Sequence, residues 1–225
     1  MANLLYLAKV KGIDGREMKI ELAKDLNIER LQTVYHGYTG ARYCELRFLD
    51  PRGFRVEQRH YFFALLTDIY NTTLQPIDDV KEVCYWKFRM LTGRDISLSN
   101  GAKTSVDDAT TLINIALDMA FDLNVALVES KKIKLPDRNT EYYLFCCLKK
   151  RRCCICGKHA DIDHFDETVG MGNNRDKVDK TKFTYCALCR SHHTEKHTIG
   201  LTAFRNKYHV YGITLNAETI KRLNI

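Results

Sequence analysis

The chain has 225 residues, enough to bury a core without disulfide staples, and its 45% hydrophobic and 28% charged residues are those of a globular protein. No apolar run approaches the roughly 18 residues of a membrane span, and Met1-Ala2-Asn3-Leu4-Leu5-Tyr6 has no basic segment ahead of a long apolar core; no span and no membrane partner are expected, and a cytoplasmic location is. The formal charge of +7 is unevenly placed, with 20 Lys/Arg against 20 Asp/Glu over residues 1–147 and 15 against 8 over residues 148–225, so the C-terminal third is expected to meet a polyanion.

Along the chain, Leu4 to Val10 and Met18 to Leu22 alternate in polarity around Gly12-Ile13-Asp14-Gly15, which predicts a hairpin. A further strand is expected over Ala41 to Leu49. After the turn Asp50-Pro51-Arg52-Gly53, Phe62, Leu65, Leu66, Ile69 and Tyr70 recur at helical spacing, and a second helix is expected over Asp78 to Leu91. Ser105-Val106-Asp107-Asp108 reads as the capped start of a third helix, with Leu112, Ile115, Ala116, Met119 and Leu123 on its apolar face. The stripe of Tyr85, Trp86, Phe88 and Met90 reads as core or as a dimer face. Strands followed by helices make this an α+β region, and it contains no charged catalytic pair of recognisable spacing.

Within it, the run Gln58-Arg59-His60-Tyr61-Phe62-Phe63-Ala64-Leu65-Leu66 and the Ser105 to Val125 helix resemble the phage Orf (NinB-like) recombination proteins over residues 55–128. The resemblance implies a homodimer that binds single-stranded DNA, with single-strand-binding protein as a further partner. The charged stretch Lys131 to Asn139, interrupted by Pro136, places a boundary near residue 140. The expected organisation is an α+β DNA-binding domain over residues 1–140 and a second domain over residues 141–225.

Five of the nine cysteines and six of the eight histidines fall after residue 150, which points to metal ligation in that region. Cys44, Cys84, Cys146 and Cys147 lack paired spacing and read as buried free thiols. In Cys153-Cys154-Ile155-Cys156-Gly157, the spacing of Cys153 and Cys156 forms a knuckle, and Gly157 relieves the tight turn. A second pair follows after 29 intervening residues as Cys186-x-x-Cys189, or after 32 as Cys189-x-x-His192. Either closes a structural zinc site; a lone redox Cys-x-x-Cys would have no distant second knuckle.

A zinc site alone leaves Asp161-Ile162-Asp163-His164 and His192-His193-Thr194-Glu195-Lys196-His197 unexplained. On a helix, His193 and His197 stack one turn apart and can grip one cation. On a strand, Asp163 and His164 point to opposite sides, so that one can bind a metal while the other meets a water. A cation at the phosphate and a separate imidazole base are what phosphodiester hydrolysis with one metal requires.

The order Cys153-x-x-Cys156, Asp163-His164, Asn173-Asn174, Leu188-Cys189-Arg190-Ser191-His192-His193 and His197 resembles the HNH (ββα-metal) nucleases over residues 153–197. The resemblance implies that His164 is the general base and that Asp163, His193 and His197 hold the catalytic divalent ion, Mg²⁺ or Mn²⁺. It assigns Asn173 or Asn174 to orienting the base, places His192 with Cys153, Cys156 and Cys189 in the zinc site with Cys186 as the alternative, and implies a 5′-phosphate product. The HNH motif, His192-His193-Thr194-Glu195-Lys196-His197 and the tail together resemble nucleases of the recombination regions of Gram-positive phages or prophages. Lys149, Lys150, Arg151, Arg152, Arg175 and Arg190, with Lys177, Lys180, Lys182 and Lys196, read as contacts to the DNA backbone. Leu201 to Tyr208 is expected to close the domain as a helix, followed by a short strand over Tyr211 to Thr214 and a helix capped near Asn216. Two rival functions stay open: a non-catalytic strand-annealing protein with a zinc-stapled clamp, and a purely structural zinc protein.

Overall fold

The computed structural model describes residues 6–44, 46, 48, 50, 52–166 and 179–225, and the statements below refer to these. The predicted hairpin is present. Strands β1 (Ala8–Asp14) and β2 (Glu17–Leu22) pair antiparallel from Ala8↔Leu22 to Asp14↔Glu17, with a register shift between Val10 and Gly12. Its turn uses Gly15 at φ +55°, a conformation that a side chain would strain. Both strands are largely exposed, so the hairpin adds little to the core. Helix α1 (Ile28–Val34) follows, capped by the Asn27 side chain, which accepts from the Arg30 N–H. The strand expected over Ala41 to Leu49 is absent among the described residues of that stretch: Leu46 and Phe48 are exposed, and no sheet edge there offers a partner.

The core is helical. Helices α2 (Val56–Thr73), α3 (Ile77–Thr92) and α4 (Val106–Asp122) match the predicted ones, and the Ser105 side chain caps α4 by accepting from the Asp108 N–H at 3.0 Å. Because α4 is wedged against α2, α3 and the next helix, it buries more than the predicted stripe. Ile113, Leu117 and Ala120 are fully buried, whereas Leu123 is exposed. On α3, Phe88 is buried and Tyr85 half-buried, while Trp86 and Met90 are exposed.

Helix α5 (Asp137–Lys149) begins where the sequence suggested a linker. It packs on α4 on one side and on the C-terminal sheet on the other, so buried side chains form one cluster from Tyr61 to Ile220 across residue 140. Asn139, fully buried, donates to the Thr110 carbonyl at 2.9 Å and to Asn114 Oδ1 at 2.7 Å. Cys84, Cys146 and Cys147 are buried as expected; Cys44 is exposed, contrary to expectation, because its segment joins no core. Burial pushes the Cys84 and Cys146 thiols up to about 12.

The C-terminal sheet has the order β3 (Asp161–His164), β4 (Thr184–Leu188), β5 (Ile213–Thr214), all antiparallel. Helix α6 (Arg190–Ile199) leaves β4 after one residue, and β3, β4 and α6 form a ββα unit. Helices α7 (Leu201–Tyr208) and α8 (Ala217–Leu223) complete the chain, the latter capped by Asn216, as predicted. The fold is therefore α+β, and among the described residues no helix is long and apolar enough to cross a membrane.

One buried anion pins the helical part to the segment leading into α5. Asp68 on α2 is 1% exposed and accepts from the N–H groups of Val128, Glu129 and Ser130 and from Ser130 Oγ. Asp68→Ala leaves several buried donors unpaired and is expected to lower stability by about 3 kcal/mol. In urea unfolding the midpoint should fall with the slope unchanged; an unaltered midpoint would refute the role.

Candidate metal centres

Two clusters of metal-ligating atoms lie on either side of α6. In the first, the turn from Cys153 to Gly157 is closed by the Gly157 N–H donating to the Cys153 carbonyl at 2.8 Å, with Gly157 at φ +76°. Cys189 stands at the N-cap of α6 and His192 in its first turn. The Sγ atoms of Cys153, Cys156 and Cys189 and one ring nitrogen of His192 lie within 4.8 Å of one another. Cys156 Sγ is 3.7 Å from Cys189 Sγ, and His192 Nδ1 is 3.2 Å from Cys189 Sγ and 3.4 Å from Cys153 Sγ. A tetrahedron with Zn–S bonds of about 2.3 Å has edges of roughly 3.8 Å, so these residues fit a closed, four-coordinate soft-metal site.

The thiols of the cluster differ: burial pushes Cys153 up to about 11, whereas Cys189 is lowered. Burial raises the Cys189 thiol, but hydrogen bonds from the His192 backbone and ring and from the Cys156 and Cys153 thiols outweigh it and bring it down to about 7. Cys186 lies outside the group. It is fully buried on β4, 3.3 Å from Cys154 Sγ, and its thiol is pushed well up by the contact with Cys154 and by burial. Of the two alternatives for a fourth ligand, the fold brings His192 to the three thiols and turns Cys186 into the core.

The second cluster uses the next residue of the helix. Successive residues on α6 are rotated by about 100°, so His193 faces away from the thiols and toward β3. His193 Nε2 lies 3.1 Å from Asp163 Oδ1 and 3.2 Å from His197 Nε2. Asp163 is buried, His193 half-buried and His197 exposed. One carboxylate oxygen and two imidazole nitrogens thus converge within 4.8 Å with an open side toward solvent. This donor set fits a divalent ion that keeps free coordination positions.

His164, next on β3, points to the other side from Asp163 and does not belong to this trio. Its ring meets Phe183 edge-on at 5.4 Å and is tilted on Tyr185 at 5.1 Å. Asn173, Asn174, Arg175 and Lys177 lie outside the described residues.

Sequence reasoning missed Lys196 by placing it on a DNA-facing surface. It is 6% exposed, its ammonium paired with Asp163 Oδ2 and within 3.2 Å and 3.4 Å of the carbonyls of His164 and Phe165. The available signal was spacing, since positions 193, 196 and 197 share one helical face. Other basic residues also have partners within the chain, buried or at the surface. Arg151 donates to the Leu223 carbonyl, Arg152 donates to the Val125 carbonyl and lies over the Phe121 ring, and Lys150 pairs with Asp122 at 2.8 Å. Lys149 and Arg190 are exposed and make no ion pair with another described residue.

The family model described as "Putative HNHc nuclease" matches residues 23–225, a span that takes in the helical core and both clusters. Comparisons with curated proteins and with solved structures gave no match. With the ββα unit, its donor atoms and the helices that carry it all inside the matched span, the chain belongs to the HNHc nuclease family.

Proposed function

We propose that this protein is a metal-dependent endonuclease that hydrolyses DNA phosphodiester bonds, with zinc in the closed cluster as a structural ion and Mg²⁺ or Mn²⁺ in the open one. The observation that carries the reading is the division of labour on α6: His192 turns toward three thiolates, and His193 and His197 turn toward a buried carboxylate on a face open to solvent. A divalent cation bound there supplies positive charge to the scissile phosphate and the departing oxygen. Asp163, His193 and His197 hold it in place. His164, on the opposite side of β3, accepts the proton of the attacking water, and the aromatic rings of Phe183 and Tyr185 limit its rotation. Asn173 or Asn174 orients that imidazole, and the product carries a 5′-phosphate, both on the strength of the HNH resemblance.

The helical region engages single-stranded or branched DNA in phage or prophage recombination. This part of the proposal rests on the resemblance of residues 55–128 to phage recombination proteins, which corresponds to α2, α3 and α4. The exposed Trp86 and Met90 on α3 suit the homodimer that this resemblance implies.

The closed cluster predicts about one tightly held zinc per chain. Cys153→Ser and His192→Ala should lose it, whereas Cys186→Ser should retain it, as elemental analysis after gel filtration would show; zinc loss in Cys186→Ser would reverse the ligand assignment.

The open cluster predicts different failures for base and ligands. His164→Ala should keep its divalent ion and its DNA affinity while cleavage slows by a factor of roughly 10² to 10⁴. His193→Ala and His197→Ala should lose the ion itself, read by Mn²⁺ titration. Wild-type cleavage by His164→Ala would return the protein to the non-catalytic clamp.

For DNA affinity, Lys149→Glu and Arg190→Glu are the informative changes, since both side chains are exposed and neither makes an ion pair with another described residue. Each should weaken binding to all sequences alike and reduce the salt dependence by a slope of roughly 1. Affinity unchanged at every salt concentration would show that these residues do not touch phosphates.

A further inference from the structure

Lys196 is an unusual occupant of its position. Lysine is among the residues least often found fully buried, and this one lies between two residues of the open cluster, its side chain directed under β3. Its ammonium has three N–H donors and meets three acceptors: Asp163 Oδ2 and the carbonyls of His164 and Phe165. These carbonyls lie where the β3–β4 ladder ends, at the His164↔Tyr185 pair. Asp163 is in turn divided between two partners, with Oδ2 on Lys196 and Oδ1 on His193.

A buried carboxylate without a counter-charge is costly. From this arrangement we propose that Lys196 is a built-in counter-cation and positioning residue of the open metal centre. It keeps Asp163 charge-balanced when no ion is bound, reserves one carboxylate oxygen for itself so that Asp163 offers a single oxygen to the metal, and fixes the backbone carbonyl of His164. The inference rests on the reading of Asp163, His193 and His197 as a cation site.

Two consequences separate this role from that of a strut. An ammonium beside the ligand carboxylate opposes cation binding by like-charge repulsion, and at the effective dielectric of a partly buried site that repulsion spans several-fold to more than tenfold in affinity. Removing it should therefore tighten the ion while slackening the geometry that catalysis needs. The cost of removing it should also depend on the charge at residue 163.

The experiment uses the full-length, zinc-loaded protein with Mn²⁺ as the probe. Lys196→Met and Lys196→Gln are titrated calorimetrically beside wild type, with circular dichroism and zinc content confirming the fold; Lys196→Gln, polar and shorter, serves should Lys196→Met not fold. The neutral variants should bind Mn²⁺ about tenfold more tightly than wild type and yet cleave DNA more slowly, an opposition that no ligand variant shows. In a double-mutant cycle, Lys196→Gln should destabilise the wild-type chain more than it destabilises Asp163→Asn, because the second background leaves no unpaired carboxylate. If wild type binds Mn²⁺ through His193 and His197 but the variants bind it no more tightly, the counter-cation role is refuted and the cation site stands. If wild type binds no Mn²⁺ there at all, the cation site and the inference fall together. Equal destabilisation in both backgrounds would show that Lys196 only props the carbonyls.

Discussion

Helix α6 is ten residues long, with Cys189 at its N-cap. A helix of that length does not hold its conformation in water by propensity alone, so the direction of every side chain on it depends on how its two faces are fastened. Near the N-terminus, Cys189 and His192 reach Cys153 and Cys156 of the knuckle, and the knuckle is itself stitched to β4 by the Cys154 N–H donating to the Ala187 carbonyl at 3.0 Å. On the inner face, Lys196 reaches β3. On the outer face, Glu195 accepts from Lys207 and Tyr208 of α7, which folds back after Gly200. With three attachments to three elements the helix cannot rotate, and the divergence of His192 and His193 becomes a fixed property of the molecule.

The helical core extends this constraint to the rest of the chain. Helix α5 touches α4, β4 and β5, so the ββα unit is seated on the same cluster of buried side chains as α2 and α3. Protein interiors are close-packed and transmit displacement poorly tolerated by rigid geometry, which suits a site whose donors must stay within a few tenths of an ångström. Buried polar groups follow the same economy. Asp68, Asn139 and Lys196 each have partners donated or accepted by neighbouring segments, so the ordering of the 128–139 connection and of the end of β3 comes from named hydrogen bonds.

How much of this could be read from the amino acids alone follows from the range of the interaction concerned. Local signals carried far: the cap at Ser105, the hairpin turn at Gly15, the knuckle at Cys153 and Cys156, and the spacing of His193 and His197 all depend on residues a few positions apart. The α+β class and the membership in an HNH nuclease family were legible from the same signals. Long-range features were not. Helix α5 was hidden because its start, Pro136-Asp137, looks like a linker, and its amphipathic face is spent on two different partners. Cys186 and His192 could not be separated by spacing, since both lie within reach of Cys189 along the chain; it is the fold that buries Cys186 on β4 and leaves His192 beside the three thiols. Lys196 was read as surface because lysine usually is, and only the position of β3 turns it into a buried cation.

Lys196 also changes what the charge count means. The C-terminal third carries 15 basic residues against 8 acidic ones, yet Lys150, Arg151, Arg152 and Lys196 direct their charges at internal partners, and Lys180 donates to the carbonyl of Ile225. Hydrogen bonds to neutral carbonyls leave the charge of these cations intact but fix where it sits, so less of the formal excess is carried by freely moving side chains; at the open centre Lys196 offsets Asp163, and imidazoles acting as ligands would be neutral. A site neutral in its own side chains does not dilute the charge of an ion placed in it. In the proposed cation site a divalent ion would present its full double charge to a phosphate on the side where His197 is exposed, whereas a bare carboxylate in the same place would neutralise half of it.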